Sequence, residues 1–298
     1  MKRFVFRLLA LALCMSLLWT AGLAESPFLS GEGEEIVQNA DEGFWSYRTN
    51  ALSITINRRS DDTPRVWYEV EVFASEEEPL RTFLSEGKRP GRKLVNPLKM
   101  AKQNQLVLAI TDDFSGYRLQ NDQKVGIVIR EGIVLGNKTR NSRNRQSWPN
   151  LDTLAVYPDG SMKANVSDAY KADEYLAQGA TNVFAFGPAI ISDGVIPEYV
   201  LDEKYYPYNE PRLAIGMIEP FHYMIVAVEG RDDGSKGARN SWVAQKMLEL
   251  GCTEALNLDG GGTAVLMFMG EVLNRSPKNM RSINSLIGFG QSEAVPAE

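Results

Sequence analysis

Histidine and cysteine are scarce. The 298-residue chain has one histidine, His222, and two cysteines, Cys14 and Cys252, too few for a His-rich or Cys-rich zinc site. General acid–base chemistry in such a chain falls to carboxylates. An excess of positive charge is also missing: 32 Lys and Arg stand against 38 Asp and Glu, a net charge of −6. Residues 1–24 carry Lys2, Arg3 and Arg7 and no acid, so the remainder has 29 cations against 38 anions, or −9. An acidic body has nothing to supply the counterion release behind non-specific nucleic-acid binding, and no nucleic-acid partner is expected. Compositional extremes are absent as well. With 44% hydrophobic and 23% charged residues, a disordered chain, a collagen-like repeat and a polytopic membrane protein are excluded. No internal repeat of fixed period is present.

What is there begins with an export signal. Lys2, Arg3 and Arg7 form a positive n-region, Leu8 to Trp19 an apolar stretch, and Gly22-Leu23-Ala24 places small residues where signal peptidase reads them. Cleavage before Glu25 and a secreted or cell-envelope destination are expected, with no membrane span afterwards. An uncleaved anchor helix is the alternative. Cys14 follows Leu13, which argues against a lipoprotein anchor. Cleavage removes Cys14 and leaves Cys252 with no partner for a disulfide. Beside Gly251, it reads as a small buried hydrophobe rather than a nucleophile.

The mature chain reads as strands and hairpins with few helices. Glu25 to Gly43 is acidic and Gly/Ser-containing, a linker by composition. Leu52–Ile56 and Val66–Phe73 are β-branched runs, the second alternating as in a half-buried strand. Gln105–Thr111 is continuously apolar, suited to a strand covered on both faces. Gly126–Arg130 with Ile133–Leu135, and Leu154–Tyr157 with Ser161–Val166 across Pro158-Asp159-Gly160, predict hairpins. Val183–Phe186 and Ala189–Ile191 continue the pattern. Trp242–Leu250 predicts a helix capped by Asn240 or Ser241 and stopped by Gly251, and a weaker helix is expected within Ser167–Gln178. The expected class is α+β, a mixed and largely antiparallel sheet with hairpins and a few packed helices. Boundaries are expected at 1–24 for the signal peptide, 25–44 for the linker, 45–90 for a β-rich N-terminal extension and 91–292 for the main domain.

The chemistry gathers in the last third. Strand Glu254–Leu258 ends at Asp259, followed by Gly260, Gly261, Gly262 and Thr263, then the apolar run Ala264–Met269. Three successive glycines are entropically costly, which fits a backbone at positive φ or a nest of N–H groups that receives an anion. The alternative is a tight turn whose glycines only relieve crowding. No Lys and no helix follow, so this is not a Walker loop. Asn257 and Asp259, two apart on a strand, share a face. Arg212 stands just before an apolar strand, and Arg231 follows the strand Ile225–Val228 through Glu229-Gly230. Such arginines are placed to fork onto phosphate or carboxylate, or they form ordinary surface ion pairs. Lys138, Arg140, Arg143 and Arg145 lie among Asn and Ser, either as a solvated loop or as an arm that meets an anionic substrate.

Taken in order, Phe186-Gly187-Pro188, Asp193-Gly194, Pro211-Arg212 to Ile215-Gly216, Gly230-Arg231, Asn257-Leu258-Asp259-Gly260-Gly261-Gly262-Thr263, Asn274-Arg275 and Arg281 resemble the signature of the phosphodiester glycosidase family. The likeness runs over about residues 90–290, with Asp-Gly-Gly-Gly its most specific element. It departs at Thr111-Asp112-Asp113-Phe114-Ser115, Leu213, Glu229, Met280 and Thr263-Ala264. The resemblance implies a secreted hydrolase that cleaves the glycosidic bond of a sugar-1-phosphodiester in a phosphorylated glycan or polysaccharide. Phosphate is a good leaving group, so such a reaction needs cationic stabilisation and a carboxylate near the anomeric carbon. Arg212 and Arg231 are expected to supply the first, assisted by the amides of Gly260, Gly261, Gly262 and Thr263. Asp259 is expected as base or nucleophile, with Glu229 and Asp112 in reserve, and Asn257, Asn274 and Arg281 as substrate contacts. No cofactor is expected; a divalent ion on Asp259 and neighbouring oxygens is the open alternative. A non-catalytic carbohydrate-binding or exopolysaccharide-assembly protein on the same fold, favoured by the changes at Asp112-Asp113 and Met280, is the second reading. A structural cell-envelope module is the third.

Overall fold

The computed structural model describes residues 26–86, 91–113, 115–120, 126–138, 151–167, 169–202, 207–274 and 280–297. The expected export signal lies outside them, as do Arg275 and all of the basic stretch after Lys138.

Alternating side chains account for the largest sheet. Its strands are β1 (Glu35–Asn39), β2 (Phe44–Arg48), β3 (Ser53–Asp61), β4 (Arg65–Phe73), β12 (Ala189–Ile191), β13 (Arg212–Glu219), β14 (His222–Val228) and β15 (Glu254–Asn257). They lie in the order β1-β2-β3-β4-β14-β13-β15-β12. Tyr68, Val70, Val72, Leu213, Ile215, Tyr223 and Ile225 point to one core, whereas Trp67, Ala214, Met224, Val226 and Val228 face the other side. That second side is closed by helix α5 (Asn240–Glu249), which buries Val243, Ala244 and Met247. Removing Val243 and Met247 from water contributes about 1.5–3 kcal/mol each. Gly251, at φ +91°, ends the helix in the left-handed region that glycine tolerates. The N-terminal cap differs from expectation: Arg239 is the cap residue without a side-chain cap bond, and Asn240 is already helical and buried.

A second sheet contains β7 (Gly126–Arg130), β8 (Ile133–Lys138), β9 (Asp152–Val156), β10 (Met162–Asn165) and β11 (Asn182–Phe186), ordered β10-β9-β11-β7-β8. A third contains β5 (Arg81–Leu84), β6 (Leu106–Thr111), β16 (Leu266–Phe268), β17 (Glu271–Val272) and β18 (Ser285–Gln291), ordered β17-β16-β6-β18-β5. Pairing among the described residues is antiparallel throughout. One apolar core is shared by all three sheets; Val107, Leu154, Phe184, Ile215, Leu256, Leu266 and Ile287 all belong to it. β6 is buried along its whole length, as its continuous apolar run predicts. The remaining helices are short: α1 (Pro97–Gln103), α2 (Ser115–Gln120), α3 (Ala172–Ala177) and α4 (Glu198–Leu201). The α+β class therefore holds.

The stretch read as a linker contains β1, paired with β2 from Glu35↔Arg48 to Asn39↔Phe44. Its composition misleads because β1 is an exposed edge strand, and edge strands carry charge without penalty. Glu34 ties it down, accepting from Tyr47 Oη at 2.9 Å and from Ser292 Oγ at 3.0 Å. Nor do residues 45–90 stand apart, since β4 pairs with β14 from Trp67↔Val228 to Phe73↔His222.

Candidate active site

Strand ends from all three sheets meet at the glycine turn. Past β15, the Leu258 amide donates to Leu213 O at 2.7 Å and the Asp259 amide to Asp112 O at 3.3 Å, so the turn is anchored to β13 and to the end of β6. Two glycines are required here for different reasons. A Cβ on Gly260 would lie 2.5 Å from Pro211 O, a clash with fixed backbone. Gly261 sits at φ +61°, and a Cβ on it would press within 3.1 Å of both terminal nitrogens of Arg231. Gly261 to Thr263 then form one 3-10 turn. The Gly261 amide donates to Pro211 O at 3.0 Å and the Thr263 amide to Gly260 O at 3.1 Å. These amides are spent inside the protein, so the expected anion-binding nest is not formed from them.

An open cleft of about 200 Å³ lies over the turn, lined by Phe186, Glu210, Arg212, Arg231, Asp259, Gly260, Gly261 and Arg281. Asp259 is 8% exposed. Burial pushes its carboxyl above the ordinary range, against the opposing pull of the Thr263 hydroxyl, Arg281, Arg118 and the Gly260 amide. Its Oδ2 has no hydrogen-bond partner, with Arg281 Nη1 standing off at 3.6 Å. Arg231, at φ +65°, turns back over the cleft and donates from Nε to Glu210 Oε2 at 2.6 Å. Arg212 donates from Nε to Ala238 O and from Nη2 to Tyr208 O, both at 3.0 Å. The cleft therefore presents three guanidinium groups and two carboxylates. Such a surface suits an anionic substrate flanking a reactive carboxylate.

Other expected site residues lie elsewhere. Glu229 does not line the cleft; it is buried, and Tyr68 Oη donates to its Oε1 at 3.3 Å. Asp112 meets no solvent and pairs with the equally buried Arg130, Nη2 to Oδ2 at 2.9 Å. Asn274 is a clamp on its own loop, donating to Ala264 O and accepting from the Leu266 amide, each at 2.8 Å. Asn257 donates to Gly187 O at 2.9 Å, while its Oδ1 remains unpartnered. Thr263 is buried, with Arg281 Nη1 reaching its Oγ1 at 3.4 Å. Cys252 is buried and its thiol is pushed up to about 12, as befits a packed hydrophobe. His222 stacks on Phe73 and bonds Glu71 at the end of β14 opposite Val228. Among the described residues, no three His, Cys, Asp or Glu side chains are grouped to hold a metal ion.

Glu210 was not legible as a site residue, since nothing in its segment marks a carboxylate on the cleft. Nor was the buried charge cluster behind Asp259. Arg130 bonds both Asp112 and Asp113, the latter at 2.8 Å. Arg118 from α2 donates to Asp113 O at 3.0 Å. One signal existed: Arg130 closes an otherwise apolar strand, and a fully buried arginine demands acidic partners.

A family model described as phosphodiester glycosidase matches residues 104–290. In Bacillus subtilis (strain 168), the SPbeta prophage-derived protein YomE is 29% identical over 179 residues, covering 59% of this chain and 26% of that protein. The chain thus spans about a quarter of that relative's length. Among solved structures, the zebrafish N-acetylglucosamine-1-phosphodiester alpha-N-acetylglucosaminidase catalytic domain, auto-inhibited by its pro-peptide, superposes with a TM-score of 0.59 at 16% identity. The match covers 87% of this chain and 88% of that one. A hypothetical protein from Synechocystis superposes with a TM-score of 0.57 at 13% identity, covering 87% and 64%. These likenesses establish a shared fold.

Proposed function

The chain belongs to the phosphodiester glycosidase family, and from that premise we propose that it is an exported hydrolase of sugar-1-phosphodiesters, acting through Asp259. The observation that carries this reading is Asp259 itself. Its carboxylate is buried, one oxygen accepts no hydrogen bond, and it lines a cleft with Arg212, Arg231 and Arg281. A buried carboxylate whose affinity for a proton is raised is a better base than an exposed one.

In the proposed reaction, water adds to the anomeric carbon as the bond from that carbon to the phosphate oxygen breaks. Asp259 takes the water's proton, and the phosphate leaves with the bonding electron pair. Its charge is met by Arg231 and Arg281, with Arg212 holding the rim. Glu210 keeps Arg231 oriented through the 2.6 Å bond. The same geometry serves a nucleophilic Asp259 that forms a glycosyl intermediate. The substrate class is a phosphorylated glycan or envelope polymer, and no cofactor enters the scheme.

Turnover of a chromogenic sugar-1-phosphodiester tests this. Release of chromophore by wild type and its loss in Asp259→Asn support the hydrolase. Retention of glycans with no turnover would instead mark a carbohydrate-binding protein. Export is tested by N-terminal sequencing, which should begin near Glu25.

A further inference from the structure

Buried polar atoms without partners are rare in folded proteins, and each calls for a bound water or ligand. Near the glycine turn, two charged side chains carry atoms without a hydrogen bond: Arg118 at Nε and Nη1, and Asp259 at Oδ2. The two residues are tied to consecutive carbonyls, Asp259 by its main chain and Arg118 by its side chain. Asp259 is tied through its amide to Asp112 O at 3.3 Å, and Arg118 through Nη2 to Asp113 O at 3.0 Å. Arg118 is only 7% exposed. Its Nη2 also stands 3.6 Å from Asp113 Oδ1, which leaves the Nε and Nη1 directions unused. Gly126, at φ +99°, lies beside it: a Cβ there would stand 3.3 Å from Nη1 and clash with Ala185 Cβ at 2.6 Å. Each of the two groups also feels the other's charge.

We infer that Arg118 and Asp259 form a buried hydroxyl-binding subsite at the back of the cleft. An oxygen between them accepts hydrogen bonds from Arg118 and donates one to Asp259 Oδ2. The charge pattern selects the ligand. An anion there would face the Asp259 carboxylate, and a cation would face the guanidinium. A neutral hydroxyl is both acceptor and donor and satisfies both sides. Its source is either water or a hydroxyl of the bound sugar. The inference rests on the reading of Asp259 as the reactive carboxylate and makes Arg118 a second residue of that site.

High-resolution crystal structures of the mature protein, free and soaked with N-acetylglucosamine, test the subsite without relying on activity. The expected result is one ordered oxygen about 2.7–3.2 Å from both Asp259 Oδ2 and Arg118 Nε or Nη1. A water that persists in the soaked crystal assigns water; its replacement by a sugar oxygen assigns the substrate. A guanidinium paired directly with Asp259, or a gap with no oxygen, overturns the inference. Arg118→Lys keeps the charge beside Asp113 but loses the two-pronged edge, so kcat on the chromogenic diester should fall at least about tenfold in protein whose melting curve shows it folded at the assay temperature. Wild-type speed in that variant also overturns the inference. If the bridging oxygen is seen but wild type turns over no diester, the hydrolase reading falls and the subsite stands.

Discussion

Arg130 Nη2 lies 2.9 Å from Asp112 Oδ2, and neither side chain meets solvent. Asp113 shares the same guanidinium at 2.8 Å, and Ser285 Oγ donates to Asp112. Two carboxylates around one arginine cannot fare equally. Burial is the largest influence on Asp112; together with repulsion from Asp113 it outweighs Arg130 and lifts its carboxyl to about 6. Burial also acts on Asp113, yet Arg130, Arg118 and the Ala185 amide overcome it and hold its carboxyl below the ordinary 3.8.

The asymmetry predicts different costs for the same substitution. At neutral pH, Asp113→Asn should destabilise by about 3–5 kcal/mol, because it strands buried guanidinium charge. Asp112→Asn should cost much less, since burial and Asp113 already offset most of what its charge gains from Arg130. The sign for pH follows. Asp112, raised in the folded state, penalises folding as pH rises through about 6. Asp113, lowered, contributes stability above the ordinary carboxylate range and loses it only as pH falls below that range. Calorimetric Tm should therefore hold or rise between pH of about 7 and about 5 in wild type. That gain should shrink in Asp112→Asn, where buried carboxylates such as Asp259, also raised, remain.

Asp259→Asn keeps size and removes basicity. Hydrolysis of a sugar-1-phosphodiester should fall at least about a hundredfold in kcat, with Tm changed little. Rate and melting curve measured on one preparation separate loss of chemistry from loss of fold.

The two cleft-rim arginines should respond differently to lysine. Arg231 is 55% exposed in its side chain and pairs with Glu210, so Arg231→Lys should cost about 2–4 kcal/mol of transition-state stabilisation at unchanged Tm. Arg212 also pins the carbonyls of Ala238 and Tyr208. Arg212→Lys should therefore lower Tm as well as kcat/KM.

Gly260→Ala should destabilise by about 1–3 kcal/mol, because its Cβ meets Pro211 O at 2.5 Å and backbone cannot yield as a side chain can. Chemical denaturation against wild type measures it. A neutral result would show that the turn moves away from Pro211.

Much of the fold was legible. β4 declared itself through alternation, β6 through its unbroken apolar run, and the hairpin β9–β10 through Pro158-Asp159-Gly160. These signals are local and need no partner to be read. β1 was missed because an exposed edge strand has no apolar face to advertise. Within the site, Asp259, Arg212, Arg231 and Arg281 were legible from the glycine turn and the motifs around it, and they share the cleft.

By itself, the sequence determined strands such as β4 and β6, through alternation and an unbroken apolar run, and a turn that needs glycine at 260 and 261. It did not determine which carboxylates face the cleft. Glu229 stands two residues from Arg231, yet its side chain meets Tyr68, while Glu210, which no motif marks, reaches Arg231. Asp112 was plausible by chemistry, but Arg130 from β7 claims it in the core. Those outcomes depend on how strand ends far apart in the chain meet. The direction of a side chain leaving a strand is set by the backbone and neighbours it packs against, and only the tertiary structure brings those together.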